Sequence, residues 1–152
     1  MRSFYYVAIG DSITAGYNAP HRRGFVDILG ARLGTRHPRV KIANGGKKGA
    51  TSADLLFFLT FSPFLHTALR RADLITLCIG GNDLLQAYLK MMLFRHPGVF
   101  PRSMHLYGHH LNRLIGLIRR ANRNPLFLLN LYNPFPSSPL AVQRVQEMNG
   151  VI

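Results

Sequence analysis

Phe4 to Ile9, Val40 to Ala43 and Leu74 to Ile79 are short apolar runs, and each is closed by a turn containing glycine. Runs of this length, bounded in this way, read as strands. Leu74 to Ile79 is apolar almost throughout, the pattern of a strand covered on both faces. The segments between the runs change to helical period. Phe25, Ile28, Leu29 and Leu33 share one face, and Gly34 and Pro38 mark where that helix stops. Leu55, Leu56 and Leu59 form a second face behind a cap at Thr51 or Ser52, and Pro63 either breaks that helix or starts another. Further helices are predicted over Leu84 to Phe94 and over Leu106 to Ala121, the latter with Leu111, Leu114, Ile115 and Ile118 on one side. A fourth strand is predicted over Leu126 to Leu131, then a loop through Asn133-Pro134-Phe135-Pro136. Ser138 caps a helix starting at Pro139, with Leu140, Val145, Met148 and Ile152 on one stripe.

Strands that alternate with helices pair in parallel through right-handed crossovers. The expected fold class is therefore α/β, a three-layer α/β/α sandwich on a mainly parallel, flavodoxin-like sheet. A length of 152 residues fits a single domain spanning 1–152. The final helix carries no stop signal and no strand follows it. The expectation is a fold truncated after its fourth strand and following helix, whose completion needs on the order of 40 further residues.

Charge narrows the partners. The chain has 19 Lys and Arg against 6 Asp and Glu, a formal net charge of +13, which attracts anions. The basic residues are scattered in pairs such as Arg22-Arg23 and Arg70-Arg71, so they read as a solvated surface and no nucleic-acid partner is expected. Cys78 is the single cysteine; it excludes an internal disulfide and reads as a buried, inert thiol. The His109-His110 pair reads as an exposed helix face without carboxylates or thiols at ligand spacing, so no metal and no cofactor are expected. No run approaches the ~20 apolar residues of a membrane span. The N-terminus lacks a secretory signal's apolar core, so the chain reads as cytoplasmic as written.

In open α/β sheets, ligands bind beyond the carboxyl ends of the strands. Three turns belong there: Gly10-Asp11-Ser12, Asn44-Gly45-Gly46-Lys47-Lys48-Gly49 and Gly80-Gly81-Asn82-Asp83. The first places a hydroxyl at a strand-to-helix junction, the second offers glycine amides able to approach a substrate, and the third a neutral amide donor. Singly, each is also an ordinary helix cap or turn.

Together, Ala8-Ile9-Gly10-Asp11-Ser12-Ile13-Thr14-Ala15-Gly16-Tyr17, then Asn44 to Thr51, then Ile79-Gly80-Gly81-Asn82-Asp83, resemble in order and spacing the first three sequence blocks of the SGNH (GDSL-type) hydrolase family. The resemblance extends through Leu131-Tyr132-Asn133-Pro134-Phe135 and so covers essentially the whole chain. It implies a serine esterase or lipase of small acyl esters, working without a metal. In that frame Ser12 is the nucleophile, and the N–H groups of Ser12 and Gly49 and the Asn82 amide form the oxyanion hole. Gly10, Asp11 and Asp83 are supporting residues, Asp11 holding the turn rather than serving as the triad acid. Relatives in this family are often exported.

The family takes its histidine and aspartate from a late Asp-x-x-His block. None of the 7 histidines here has an acid three residues earlier, and no Asp or Glu occurs between Asp83 and Glu147. The chain alone is therefore expected to be inactive or nearly so, unless a histidine from an unexpected place, such as His21 in the loop after the first strand, reaches Ser12. The α/β-hydrolase pattern G-x-S-x-G is absent. A phosphate- or nucleotide-binding α/β domain is the alternative. However, a dinucleotide fingerprint needs Gly where Asn44 stands, and a P-loop needs Ser or Thr where Lys48 stands. A non-catalytic truncated product, self-associating through an uncovered sheet edge, is the third reading.

Overall fold

The computed structural model describes residues 2–96, 98–133 and 136–152. Four strands, β1 (Phe4–Gly10), β2 (Val40–Gly46), β3 (Leu74–Cys78) and β4 (Leu126–Leu128), form one sheet in the order β2-β1-β3-β4. Every pairing is parallel. The helices are α1 (Phe25–Gly34), α2 (Ser52–Phe61), α3 (Pro63–Arg71), α4 (Gly81–Phe94), α5 (Val99–Ala121) and α6 (Pro139–Asn149). This is the α/β architecture read from the alternation of strands and helices.

Side-chain alternation along β1 divides the core. Val7 and Ile9 join Ile75 and Leu77 of β3 on one face, under Leu55 and Leu59 of α2, Leu69 of α3, Leu114 of α5 and Met148 of α6. Tyr6 and Ala8 face the other way, with Val26 of α1 over them. On that second face the Tyr6 hydroxyl and Thr76 Oγ1 lie 2.9 Å apart, so two buried polar groups satisfy one another.

Local chemistry sets the helix ends. Thr51, not Ser52, caps α2: its Oγ1 accepts from the Asp54 N–H, and the Asp54 carboxylate accepts from the Thr51 N–H at 2.9 Å. These bonds hold the Asp54 carboxyl below its ordinary range. Pro63 starts a new helix, with Ser62 ending α2 and capping α3. Asn122, just past α5, donates to the Leu69 and Ala72 carbonyls at 2.7 and 2.8 Å, tying the end of α5 to the end of α3.

Departures from the pattern reading fall at four elements. Helix α5 begins at Val99 rather than Leu106, because Pro101 falls in its first turn, where no N–H is needed, and Phe100 finds a buried seat. Strand β2 runs on to Gly46, since Gly45 and Gly46 pair with Ile9 and Gly10 despite their turn-like composition. Strand β4 is shorter than Leu126 to Leu131, and the α6 stripe buries Val145 and Met148 while Leu140 stays exposed. In the loop read through Asn133-Pro134-Phe135-Pro136, Pro134 and Phe135 lie outside the described residues. Among the described residues, no single helix is long and apolar enough to cross a membrane.

Leu114 is fully buried, whereas Leu93 is 77% exposed. Leu114→Ala is expected to cost about 2–5 kcal/mol in urea denaturation and Leu93→Ala less than about 0.5 kcal/mol. Equal losses at the two positions would contradict this core.

Candidate active site

Strand β1 lies between β2 and β3, so the strand order reverses around it. The crossover to β2 passes over one face of the sheet and the crossover from β2 to β3 over the other, the topology that in open α/β sheets puts ligand sites at the carboxyl ends of the strands, here β1 and β3. The three glycine-bearing turns emerge at this edge, and backbone bonds continue the pairing into them. The Lys47 N–H donates to the Gly10 carbonyl at 2.9 Å and the Asp11 N–H to the Cys78 carbonyl at 3.2 Å. The Asn44 amide donates to the Thr14 carbonyl at 2.8 Å.

Gly10 is required by packing. A Cβ there would lie 2.1 Å from the Cys78 carbonyl oxygen and 2.3 Å from Thr14 Oγ1. The chain then turns through Asp11, whose buried carboxylate accepts from the Ile13 N–H at 2.9 Å. Burial, with a smaller contribution from Asp83, raises its pKa above the ordinary carboxyl value. Ser12 follows, half-buried, its carbonyl accepting from the Tyr17 N–H at 2.9 Å. His21 lies in an exposed 3-10 turn (Pro20–Arg22) beyond it.

Gly49 has φ of +77°, a left-handed conformation that favours glycine, and the space around its Cα is open. Asn82, in the first turn of α4, donates its Nδ2 to the carbonyl of Ala50, the residue after Gly49, at 2.9 Å. A carboxamide nitrogen carries two hydrogens, so this bond orients the group and leaves the second N–H uncommitted to it. The second and third turns are thereby locked together.

A further polar chain escaped the sequence reading. The Asp83 carboxylate accepts from the Ser52 N–H at 2.8 Å and from the Ser52 hydroxyl at 2.5 Å, while Ser52 Oγ lies 3.0 Å from His110 Nδ1. Ser52 has one hydroxyl proton and Asp83 takes it, so His110 carries a hydrogen on Nδ1 and donates. The expectation of an exposed His109-His110 face is thus corrected. His109 is exposed, but His110 is half-buried and turned toward α2. The signal was present: His110 stands three residues after Tyr107 and four before Leu114, on the buried stripe of α5.

The two lysines of the second turn are engaged by aromatic rings. Lys47 Nζ sits 3.3 Å from the Phe58 ring centroid, and Lys48 Nζ donates to the Tyr17 hydroxyl at 2.7 Å. Cys78 is buried, and desolvation pushes its thiol up to about 12, far from a reactive thiolate.

A family model described as the GDSL-like Lipase/Acylhydrolase family matches residues 8–152. The chain belongs to this family. This GDSL-like chain is 29% identical over 148 residues to the uncharacterized protein YpmR of Bacillus subtilis, covering 95% of the chain and 56% of YpmR. It is 30% identical over 151 residues to the spore germination lipase LipC of Bacillus licheniformis, covering 95% of the chain and 71% of LipC. The chain therefore spans little more than half of one relative's length. Among solved structures, the lipase Lip_vut3 from a goat rumen metagenome superposes with a TM-score of 0.87 at 29% identity, over 97% of this chain and 73% of that one. AlinE4, an SGNH-hydrolase family esterase, shares the fold with a TM-score of 0.70 at 22% identity, over 99% and 69%.

Two measurements test the polar framework of this GDSL-like edge. His110→Ala removes the donor to Ser52 and is expected to cost about 1 kcal/mol, whereas His110→Asn, whose Nδ2 can stand where Nδ1 does, restores most of it. Thermal midpoints of the two variants should differ; identical losses would show that the bond contributes nothing. For Asp11, a raised folded pKa contributes stability that is fully present below the unfolded pKa and lost as pH rises through the folded value. Asp11→Asn, which keeps an acceptor for Ile13, is thus expected to match or exceed the parent's stability at neutral pH. Its relative advantage should shrink in acid, as read from denaturation midpoints across pH.

Proposed function

We propose that the chain carries the serine-bearing half of a carboxylic ester hydrolase site that acts on small acyl esters through an acyl-serine intermediate. Ser12 Oγ attacks the ester carbonyl carbon and loses its proton to a base. The resulting oxyanion is held by the N–H groups of Ser12 and Gly49 and by the Asn82 side-chain amide. The carbon–oxygen bond to the alcohol then breaks, the alcohol leaves with a proton, and water hydrolyses the acyl-serine. Gly10 and Asp11 keep the nucleophile's turn in shape, and Asp83, bonded to Ser52, anchors the helix that bears Asn82.

One observation carries this reading. The hydroxyl-bearing turn and the two amide-bearing turns emerge at a single sheet edge, joined by the Lys47–Gly10, Asp11–Cys78 and Asn82–Ala50 hydrogen bonds, in a chain of the GDSL-like lipase/acylhydrolase family. The name of the LipC relative, a lipase, points the same way. The phosphate-binding alternative is disfavoured because Lys47 and Lys48 are drawn onto Phe58 and Tyr17.

The base is not supplied at Asp-x-x-His spacing anywhere in the 152 residues. The chain alone is therefore expected to retain at most the roughly 10³-fold acceleration that binding and oxyanion stabilisation give. In a form carrying an Asp-x-x-His block, Ser12→Ala should lower kcat/KM for p-nitrophenyl butyrate by roughly a thousandfold or more. Asn82→Ala should lower kcat by roughly a hundredfold. A Ser12→Ala form that hydrolyses the ester as fast as its parent would sink the assignment.

A further inference from the structure

The turn that carries Asn82 is gripped from α5 at two points. Tyr107 and His110 stand three residues apart on that helix and so share a face. The Tyr107 hydroxyl donates to the Ile79 carbonyl at 3.1 Å, at the last residue before Gly80-Gly81-Asn82-Asp83. Gly80 has φ of +125°, and a Cβ there would lie 2.8 Å from Tyr107 Cε2 and 2.9 Å from its hydroxyl oxygen. The ring thus fills the space against which the turn bends. Tyr107 is buried, and desolvation raises its phenol above the ordinary value, so it remains a neutral donor.

His110 acts one link further away. Its Nδ1 lies 3.0 Å from Ser52 Oγ, and the Ser52 hydroxyl donates to Asp83, the neighbour of Asn82. Ser52, His110 and Asp83 are not a second nucleophilic centre, because Ser52 is fully buried and its hydroxyl proton goes to the carboxylate rather than to the imidazole. Asn82 is therefore flanked by Ile79, held by Tyr107, and by Asp83, held through Ser52 by His110. Its own Nδ2 donates to the Ala50 carbonyl at 2.9 Å. A donor aimed at developing charge is effective when it is held beforehand, to within about 0.5 Å, by groups that are themselves locked.

We propose that Tyr107 and His110 are positioning residues for the Asn82 amide, acting from α5 through Ile79 and through Ser52 and Asp83, so that the second N–H of that amide is aimed at the ester oxyanion. What the amide does rests on the ester-hydrolase reading, whereas how it is held does not. Neither α5 residue touches the substrate; both act through the turn.

The test is side-chain nitrogen-15 relaxation of Asn82 in the 152-residue chain, with thermal midpoints measured alongside. The parent is expected to show an order parameter near the ~0.85 of rigid backbone. Tyr107→Phe, which keeps the ring and removes the hydroxyl, and His110→Ala should each lower it, and the two together should bring it below about 0.6. His110→Asn should return it to the parent value, because its Nδ2 can still donate to Ser52. The Asn122 amide, bonded to the Leu69 and Ala72 carbonyls just past the end of α5, should stay ordered in every variant. If His110→Ala does not fold, Ser52→Ala breaks the same chain of bonds with a smaller loss of volume. Lowered midpoints with an unchanged Asn82 order parameter would show that α5 only stabilises the fold and would overturn the proposal. Equal loss of order at Asn122, or no rescue by His110→Asn, would overturn it too. Ser12→Ala should leave the Asn82 amide as ordered as in the parent, so failure of this positioning and failure of the esterase assignment are read separately.

Discussion

Everything in this structure hangs on β1 being buried on both faces and paired on both edges. Tyr6, Val7, Ala8 and Ile9 are all inaccessible to solvent, and Gly10 is opposed at once by Gly46 and Cys78. A strand in that position has no freedom to slip, because a one-residue shift would exchange the two side-chain sets between the α1 face and the face covered by α2, α3, α5 and α6. The turn that follows inherits this rigidity. Its first backbone groups bond to the neighbouring strand ends, so Ser12 is displayed by a fixed frame rather than by a free loop.

The same frame joins the other two turns. The Asn82 amide reaches the Ala50 carbonyl, and Asp83, one residue on, takes both donors of Ser52, which His110 backs from α5. The start of α2, the start of α4 and the middle of α5 therefore hold one another through polar contacts, at the edge where the strand order reverses. Burying Asp11 and Ser52 here has a solvation cost, offset by the Ile13 N–H for Asp11 and by Asp83 and His110 for Ser52. An edge organised in this way suits chemistry in which charge develops at a predictable point, because its dipoles do not have to reorient.

Much of this was legible in the residues. Apolar runs closed by glycine turns announced the strands, Ser138-Pro139 announced α6, and Pro63 marked the place where one helix stops or another starts, the structure deciding for a start. The spacing of the Gly10-Asp11-Ser12, Lys47-Lys48-Gly49 and Gly80-Gly81-Asn82-Asp83 turns announced the family. The errors share one origin. Gly45 and Gly46 carry turn-forming composition but serve as strand, since β1 supplies partners for them. The residues before Leu106 are a weak helix signal on their own, yet α5 extends back to Val99 as Phe100 is buried. His110 looked like half of a solvent-facing pair; its spacing from Tyr107 and Leu114 puts it beside the buried stripe, but that Ser52 is its partner is written on another helix.

Local chemistry, carried in short stretches, thus determined the kinds of element, their caps, the fold class and the three turns from which function is inferred. Helical and strand periods and φ-specific residues act within a few positions, so they can be read without knowing what lies alongside. Only the tertiary structure decided that Asn82 bonds to Ala50, that His110 turns inward to Ser52, and that Lys47 and Lys48 are held by Phe58 and Tyr17. Those are contacts between distant segments. Their geometry follows from how the strands are ordered and how the helices lie across them, which no local window of residues contains.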